Sequence, residues 1–227
     1  MSKCDQCIVR ELSSLKALSK EELVKMSNCK TSKIIRKGET IFSEGETING
    51  VFCVKDGVCK MTKLSTNGRD QIVHLVKKGE LLGQRSMLSD EPANLSAVAI
   101  EDMQVCFIPK KEMLDFFNEN SRFSMSMMKS ICGGLKEADN ILVNMAQKTV
   151  KERLACTLLY LEDNFGIHAD KSLKVQLSRE EIASMIGTAT ESCIRLLSEL
   201  NKSGSIALTG KKISITDRKA LSKMCAL

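Results

Sequence analysis

Two charged side chains, Glu191 and Arg195, lie four positions apart in a stretch with helical spacing of its apolar residues. Arginine can form two hydrogen bonds with the O6/N7 edge of guanine, and glutamate can accept one from the N4 amino group of cytosine. Residues i and i+4 of a helix project from one face, so the pair can act together on base edges. The alternative is that Glu191 only caps its helix and Arg195 only forms a surface ion pair.

The segment 178–200, SREEIASMIGTATESCIRLLSEL, predicts two short amphipathic helices joined by a tight turn. Ser178 and Glu181 have the S-x-x-E spacing of a capping box, and Gly187 can end the first helix in a left-handed conformation. This arrangement is typical of a helix-turn-helix, whose second helix enters the DNA major groove.

The start of the second helix is predicted at Thr188, because Thr188 and Glu191 repeat the capping-box spacing. Its apolar residues predict one buried side, which leaves the other side exposed to a duplex. The residues expected to contact DNA from the two helices are Ser178, Arg179, Thr188, Thr190, Glu191, Ile194 and Arg195.

A hairpin is predicted after the second helix, with strands at 206–208 and 213–215 around a Gly-Lys-Lys turn. A hairpin beside a recognition helix makes a winged helix-turn-helix. Lys211 and Lys212 at its tip can contact phosphates, which fix the register of the protein but carry no sequence information. A further short strand is predicted at 174–177.

Between residues 33 and 109 the apolar residues come in short runs separated by turns. Turns such as Asp56-Gly57 are strong hairpin signals, and the spacing predicts eight strands in a small antiparallel sandwich or jelly roll. Such a barrel either encloses an effector pocket or is a packed core without a ligand.

Residues 121–147 return to a helical period, with apolar residues stepping by three and four. This heptad pattern favours a parallel coiled-coil partner and hence a homodimer. The predicted fold is α+β, with a barrel over 1–120, a dimerisation helix over 121–147 and a winged helix-turn-helix over 148–227. The predicted dimer seam consists of Met128, Ile131, Leu135, Ala138, Leu142 and Met145.

Composition narrows the functional classes. The 227 residues carry a net charge of +6, and residues 146–227 hold 13 Lys/Arg against 9 Asp/Glu, which suits an anionic partner. No apolar run could span a bilayer and no signal-peptide core is present, so a cytoplasmic protein without a membrane partner is expected. The ten cysteines are then expected to be reduced. An enzyme is not expected, because no paired-carboxylate, Walker or nucleophile-elbow motif is found.

With these features in this order, the chain resembles the Crp/Fnr family of bacterial transcription regulators. The block LSREEIASMIGTATESCIRLLSELNKSGSI is similar to the family's helix-turn-helix signature, and Gly-Glu-x-x-Gly at 79–83 is similar to its sensor-domain block. The resemblance implies base-reading roles for Glu191 and Arg195. Thr190 replaces an arginine of the cAMP receptor branch, and Ile194 replaces a serine of the Fnr branch and could pack on a thymine methyl.

The resemblance also locates the family's cyclic-nucleotide site, which is degenerate here. The glutamate that holds the ribose falls on Gln84, and the Arg-Ser pair that binds the cyclic phosphate falls on Asn94 and Leu95. A phosphate needs a cation or clustered backbone donors, so we expect that cAMP is not used in the usual way. The expected effector pocket consists of Gly83, Gln84, Arg85, Asn94 and Leu95.

Members of the Fnr branch hold an iron–sulfur cluster through clustered N-terminal cysteines and one in the barrel. Cys4 and Cys7 have the short spacing and Cys106 falls on the barrel position. The third N-terminal cysteine is missing at its near spacing, and Cys29 is the next candidate. Because an unanchored tail cannot place Cys4 and Cys7, free thiols and no cofactor are the favoured interpretation, with the cluster as the alternative.

The sequence therefore predicts a homodimeric regulator that reads a palindrome in double-stranded DNA under control of its barrel. RNA polymerase is a further expected partner if the protein activates transcription, and an unidentified small effector is left open. Two alternatives are an iron–sulfur oxygen sensor of the Fnr type and a ligand-binding module that acts through protein partners.

Overall fold

The computed structural model describes residues 4–65, 68 and 70–226. Three short 3₁₀ helices, Cys4–Gln6, Ile8–Leu12 and Ser14–Ala17, precede the first α-helix. The α-helices are α1 (Lys20–Cys29), α2 (Gln84–Ser89), α3 (Lys110–Glu119), α4 (Ser121–Gln147), α5 (Val150–Phe165), α6 (Arg179–Ile186), α7 (Thr190–Lys202) and α8 (Arg218–Cys225). The strands are β1 (Thr31–Ile35), β2 (Thr40–Phe42), β3 (Gly50–Asp56), β4 (Cys59–Leu64), β5 (Asp70–Val76), β6 (Leu81–Leu82), β7 (Ser96–Ala99), β8 (Met103–Pro109), β9 (Ile206–Thr209) and β10 (Lys212–Ile215).

The chain divides into two compact units, and the division along α4 falls between Lys136 and Glu137. The predicted domain boundaries at 120 and 147 stay predictions of the sequence. None of the described helices is both long enough and apolar enough to cross a membrane.

Two four-stranded sheets, in the orders β1-β8-β3-β6 and β2-β7-β4-β5, belong to the first unit, except that residues 70–72 of β5 are assigned to the second. The pairs with a described register are antiparallel. A strand lies at each of the eight apolar runs that predicted one, so the barrel and the α+β fold class are confirmed. The runs are informative because each ends in a turn, and a turn residue such as Gly57 has the positive φ, 86°, that glycine adopts without strain.

Two apolar cores lie on opposite faces of the first sheet. Phe52 and Val54 of β3 belong to the core inside the barrel. Val51 and Cys53 belong to a second core on the outside, built with side chains of α1, α3 and the start of α4. This arrangement follows from the two-residue period of a strand, which sends neighbouring side chains to opposite faces.

The second unit contains α5 to α8 and the β9–β10 hairpin. Helix α5 begins at a capping box in which the Thr149 hydroxyl accepts from the Glu152 N–H and the Glu152 carboxylate accepts from the Thr149 N–H. The predicted hairpin is confirmed, with Lys212 opposite Thr209. The predicted strand at 174–177 is wrong. Only single bridges form just before it, at Leu173 and Ser172, so the segment has no ladder.

A disulfide joins Cys156 of α5 to Cys225 of α8, with their Cα atoms 5.1 Å apart. The prediction that every cysteine is a reduced thiol is therefore wrong for this pair. The two cysteines are separated by 69 residues, and only the packing of α8 on α5 brings them together. The remaining eight cysteines are free.

Candidate nucleic-acid interface and thiol pocket

Helix α6 is the first helix of the helix-turn-helix. It begins at the predicted capping box, in which the Ser178 hydroxyl accepts from the Glu181 N–H at 3.1 Å and the Glu181 carboxylate accepts from the Ser178 N–H at 2.8 Å. Ile182, Ala183 and Ile186 are buried. The two reciprocal bonds fix where the helix starts, and the buried residues fix which side faces the core.

The turn that follows depends on Gly187. Its φ of 64° and ψ of 54° are left-handed, the conformation in which glycine commonly ends a helix. A Cβ added at this position would lie 3.3 Å from the Met145 sulfur. Glycine is therefore favoured both by the backbone conformation and by the close approach of Met145.

Helix α7 starts one residue later than the sequence predicted. Its N-cap is Ala189, which makes no side-chain capping bond. The Thr188 N–H donates to the Ala183 carbonyl of the preceding helix, at 3.0 Å. The predicted capping box of Thr188 and Glu191 is wrong, because Thr188 belongs to the turn and Glu191 is the second helical residue. The Glu191 carboxylate is consequently not engaged as a cap.

The two sides of α7 differ in burial as predicted. Cys193, Leu196, Leu197 and Leu200 are buried, and burial raises the pKa of the Cys193 thiol to about 11, so it is neutral. Glu191 and Arg195 are exposed, and Ile194 is 50% exposed. Among the described residues neither Glu191 nor Arg195 has a hydrogen-bond or ion-pair partner, so no ion pair of Arg195 is seen.

Thr188, Thr190 and Arg179 are half-buried, whereas Ser178 is exposed. The Arg179 guanidinium donates from Nη2 to the Gly210 carbonyl at the wing turn, at 3.2 Å. Its Nη1 is buried and has no hydrogen-bond partner in the described part of the chain. Arg179 thus links the start of α6 to the wing, and its contact with DNA stays a prediction.

The two wing lysines are in different electrostatic situations. Lys211 is exposed and has no ion-pair partner among the residues described. The Lys212 ammonium contacts the Asp170 carboxylate at 2.6 Å. The hydrogen bonds that Asp170 accepts from Lys212 and Ser172 hold its pKa well below the usual range. Lys211 is thus available to a phosphate, whereas the charge of Lys212 is largely compensated.

Arg153 of α5 is a positioning residue that the sequence reasoning missed. Its guanidinium donates to the Ile186 carbonyl at 2.8 Å and to the Lys148 carbonyl at 2.8 Å, with a longer bond of 3.3 Å to Met145. These carbonyls are at the ends of α6 and α4, where no helical N–H is available. A basic residue in an amphipathic helix is a weak signal, since most such residues face solvent.

The five residues of the predicted effector pocket differ in their surroundings. Arg85 forms an exposed ion pair with Glu91 at 2.6 Å, and Leu95 packs against the apolar barrel core. Asn94 is exposed, and its carbonyl accepts from Lys63 at 3.2 Å. Gly83 has a φ of 83° and precedes α2, and the buried Gln84 Oε1 has no partner among the described groups. These residues therefore offer no free cation to a cyclic phosphate.

The predicted dimer seam lies along α4. Leu135 is 63% and Leu142 is 69% exposed, Met128 and Ala138 are also exposed, and Ile131 and Met145 are half-buried. Ile131 packs against the outer core of the first unit, and Met145 approaches Gly187. The middle of the seam is therefore an apolar surface that this chain leaves open to solvent.

The N-terminal segment is anchored, contrary to the premise that favoured free thiols on a mobile end. Cys4 is buried and its N–H donates to the Ser27 hydroxyl at 2.7 Å. Cys4, Cys7, Cys53 and Cys106 line one pocket together with Lys30, and we call these residues the thiol pocket. Burial and the neighbouring Cys106 raise the pKa of Cys53 to about 12, so its thiol is neutral.

Cys29 does not line the thiol pocket. Its thiol donates to the Met26 carbonyl of its own helix at 3.3 Å. In residues 4–65, 68 and 70–226, no group of three or more His, Cys, Asp or Glu side chains is arranged to hold a metal ion. The cysteines of the thiol pocket therefore lie near one another, but they are not arranged as the ligands of a single metal ion.

Comparison with known proteins identifies both parts of the chain. The cyclic nucleotide-binding domain matches residues 32–120, and the Crp-like helix-turn-helix domain matches residues 152–224. The fumarate and nitrate reduction regulatory protein of Escherichia coli strain K12 is 26% identical over 224 residues, which cover 97% of this chain and 89% of that protein.

Solved structures show the same architecture. FixK2 from Bradyrhizobium japonicum is 25% identical with a TM-score of 0.79, over 87% of this chain and 98% of its own. The c-di-GMP responsive global regulator CLP of Xanthomonas campestris is 15% identical with a TM-score of 0.76, over 87% and 99% of the two chains. The second likeness concerns the fold alone.

Proposed function

The chain belongs to the Crp/Fnr family of transcription regulators, which bind DNA as dimers, and we propose that it reads a palindromic duplex site with the exposed face of α7. The observation that carries this proposal is the pair Glu191 and Arg195. Both are exposed one helical turn apart, and neither is used by a cap or an ion pair within the described chain. Both side chains can therefore contact base edges without giving up a cap or an ion pair within the described chain.

The proposed contacts fall into two kinds. Arg195 donates to the O6/N7 edge of a guanine and Glu191 accepts from a cytosine amino group, while Ile194 packs on a thymine methyl. Lys211 contacts a phosphate from the wing and Ser178, at the N-terminus of α6, contacts another. A good bidentate base contact contributes about 1–3 kcal/mol of discrimination, whereas phosphate contacts act on all sequences alike.

Two copies of α7 are presented to DNA by a dimer formed through α4. The exposure of Leu135 and Leu142 supports this proposal, since two large apolar side chains one heptad apart are suited to a helical partner. A twofold axis along paired helices relates two identical recognition helices, and half-sites about 34 Å apart then form a palindrome.

Control by cAMP in the usual way is not part of the proposal, because Leu95 packs against the barrel core and Arg85 is paired with Glu91. An effector that differs in affinity for two dimer geometries would shift the population of the DNA-binding one. RNA polymerase is proposed as a partner if the protein activates transcription. A module that acts only through protein partners is less well supported, because it leaves Glu191, Arg195 and Lys211 without a role.

A second candidate function is oxygen sensing of the Fnr type through an iron–sulfur cluster. The observation that favours it is the anchored N-terminal segment, which places Cys4, Cys7 and Cys106 at one pocket. The donor chemistry fits, because thiolates are the usual ligands of such clusters. Ligands of a cluster bind different irons and stand farther apart than ligands of one ion, so the lack of a site for one ion does not conflict with it. A bound cluster would supply an oxygen-labile centre.

The test of the DNA-binding proposal is selection of duplexes from a random pool by the purified protein, in air and under anaerobic conditions, with no added ligand. An enriched palindrome in either condition supports the proposal, and enrichment only without oxygen favours the second candidate. Enrichment of single half-sites would contradict palindromic reading. It would also be contradicted if no sequence is enriched although the same protein binds duplexes with a salt-dependent affinity.

A further inference from the structure

The strand register brings two cysteines together on the outer face of the barrel. Cys53 of β3 is directly opposite Cys106 of β8 in an antiparallel pair. Opposite residues of such a pair have neighbouring Cβ atoms on one face of the sheet. Both cysteines belong to the outer core, whereas their neighbours Phe52 and Val105 belong to the core inside the barrel. The two thiols thus point away from the barrel interior.

The N-terminal segment covers this face and brings two more cysteines to it. Val9 and Leu15 are buried in the same outer core, and the Cys4 N–H is held by the Ser27 hydroxyl. Cys4 and Cys7 line the thiol pocket together with Cys53 and Cys106. Four cysteines from three separate parts of the chain therefore line a common pocket.

Cys29, the ligand suggested by sequence spacing, is not part of this set. Its thiol is turned to the Met26 carbonyl, and Cys29 is absent from the lining of the pocket. We propose that Cys53 is the fourth ligand of an iron–sulfur cluster held by Cys4, Cys7 and Cys106, in the place that spacing assigned to Cys29. The inference rests on the second candidate function above, and it is independent of how α7 reads DNA.

The chemistry of the pocket is consistent with an anionic group. On ligation each thiol releases its proton to solvent and forms one Fe–S bond, so the four ligands together release four protons and carry negative charge. Lys30 lines the same pocket and forms a hydrogen bond with Cys4. Arg10 and Lys55 also line the pocket, and the three basic residues together compensate part of that charge. The other lining side chains are apolar, and an uncompensated anion among them is costly.

The test is anaerobic reconstitution of the full-length protein with ferrous iron and sulfide. Iron and acid-labile sulfide per protomer are measured together with the visible absorption spectrum. Cys53→Ser is compared with the matched control Cys29→Ser, and circular dichroism checks that each variant is folded. Cys53→Ala is the second variant, because a small apolar side chain suits the position beside Val51 and Ile108 if serine disturbs the core.

We expect the wild-type protein and Cys29→Ser to bind equal amounts of iron and sulfide, and both Cys53 variants to bind at least tenfold less while staying folded. A cluster that is lost in Cys29→Ser, or kept in a folded Cys53 variant, would overturn the assignment. Absence of a cluster from the wild-type protein would also overturn it, and a Cys53–Cys106 disulfide found by mass spectrometry in that case would identify a thiol pair instead. Duplex selection with the same samples tests DNA recognition separately, so that a failure of the cluster assignment is distinguished from a failure of the DNA-binding proposal.

Discussion

At the residue scale, the structure separates side chains that are free to act on a ligand from those already engaged within the protein. Sequence spacing predicted that Glu191 and Arg195 read bases, but it left open whether a cap or an ion pair used them. The answer depends on where α7 starts, and its N-cap is Ala189. Residue spacing alone does not determine a helix end to within one or two residues.

The same distinction separates the two wing lysines. Replacing Asp170 with Asn should free the Lys212 ammonium for a phosphate and raise affinity for random-sequence duplex DNA several-fold, because each added phosphate contact releases a counterion. Fluorescence anisotropy at two salt concentrations measures the effect. Asp217→Asn, which removes an acidic charge elsewhere in the second unit, is the control. Equal gains for both variants would mean that only net charge matters.

Arg153 shows what sequence spacing could not reveal. Its guanidinium donates to carbonyl groups at the ends of two other helices, and these groups come together only in the folded chain. Arg153→Met should lower the free energy of unfolding by about 1–3 kcal/mol, because the bonds of a charged donor are lost. Denaturant unfolding measures this. Lys151→Met on the same helix removes only an exposed ion pair with Glu199, at 3.6 Å, and should cost under about 1 kcal/mol.

At the element scale, regular periodicity was enough to predict most of the fold. The eight barrel strands, the helix at 121–147 and the wing hairpin each carry a complete pattern of apolar residues and turn residues. The strand expected at 174–177 failed, because buried Val175 and Leu177 satisfy the pattern without pairing in a ladder. The Cys156–Cys225 disulfide lay beyond prediction, since it depends on the packing of α8 on α5.

Helix α4 carries the prediction that belongs to this scale. A double variant, Leu135→Glu and Leu142→Glu, should weaken the dimer at least about 100-fold, because each buried leucine contributes about 1.5–3 kcal/mol and the new charges repel across the seam. Sedimentation equilibrium measures the dissociation constant.

The control for that variant is Asn140→Glu. Asn140 is exposed and lies two residues from both Ala138 and Leu142, hence on the opposite side of the helix. It should leave the dimer intact. A dimer that persists in the double variant would contradict the seam and place the interface elsewhere.

At the scale of the whole molecule, we propose that the second unit reads DNA and the first unit senses a signal. The barrel fold was predictable from its strands, but its chemistry was not. The sequence pointed to Cys29 because it is the next cysteine along the chain, whereas strand register makes Cys53 the neighbour of Cys106. Proximity of this kind arises from topology and has no signature in local spacing.

The salt dependence of binding belongs to the assembled dimer. Each phosphate contact contributes about 0.9 to the slope of log K against log salt concentration. Lys211→Ala removes one contact from each protomer and should reduce that slope by about 1.8, with equal losses on specific and random duplexes. An unchanged slope would mean that the wing does not contact the phosphates.

Base reading by α7 through Arg195 is tested by measuring how well the protein discriminates between base pairs. Wild-type protein and Arg195→Ala are titrated with the selected palindrome and with a set of variant duplexes. In each variant duplex one half-site position is replaced by another of the three base pairs, and the same change is made in both half-sites. We expect Arg195→Ala to lose about 1–3 kcal/mol of discrimination per half-site at one guanine position and to keep its affinity for random duplexes. An equal loss on every sequence would contradict base reading and make Arg195 a phosphate contact.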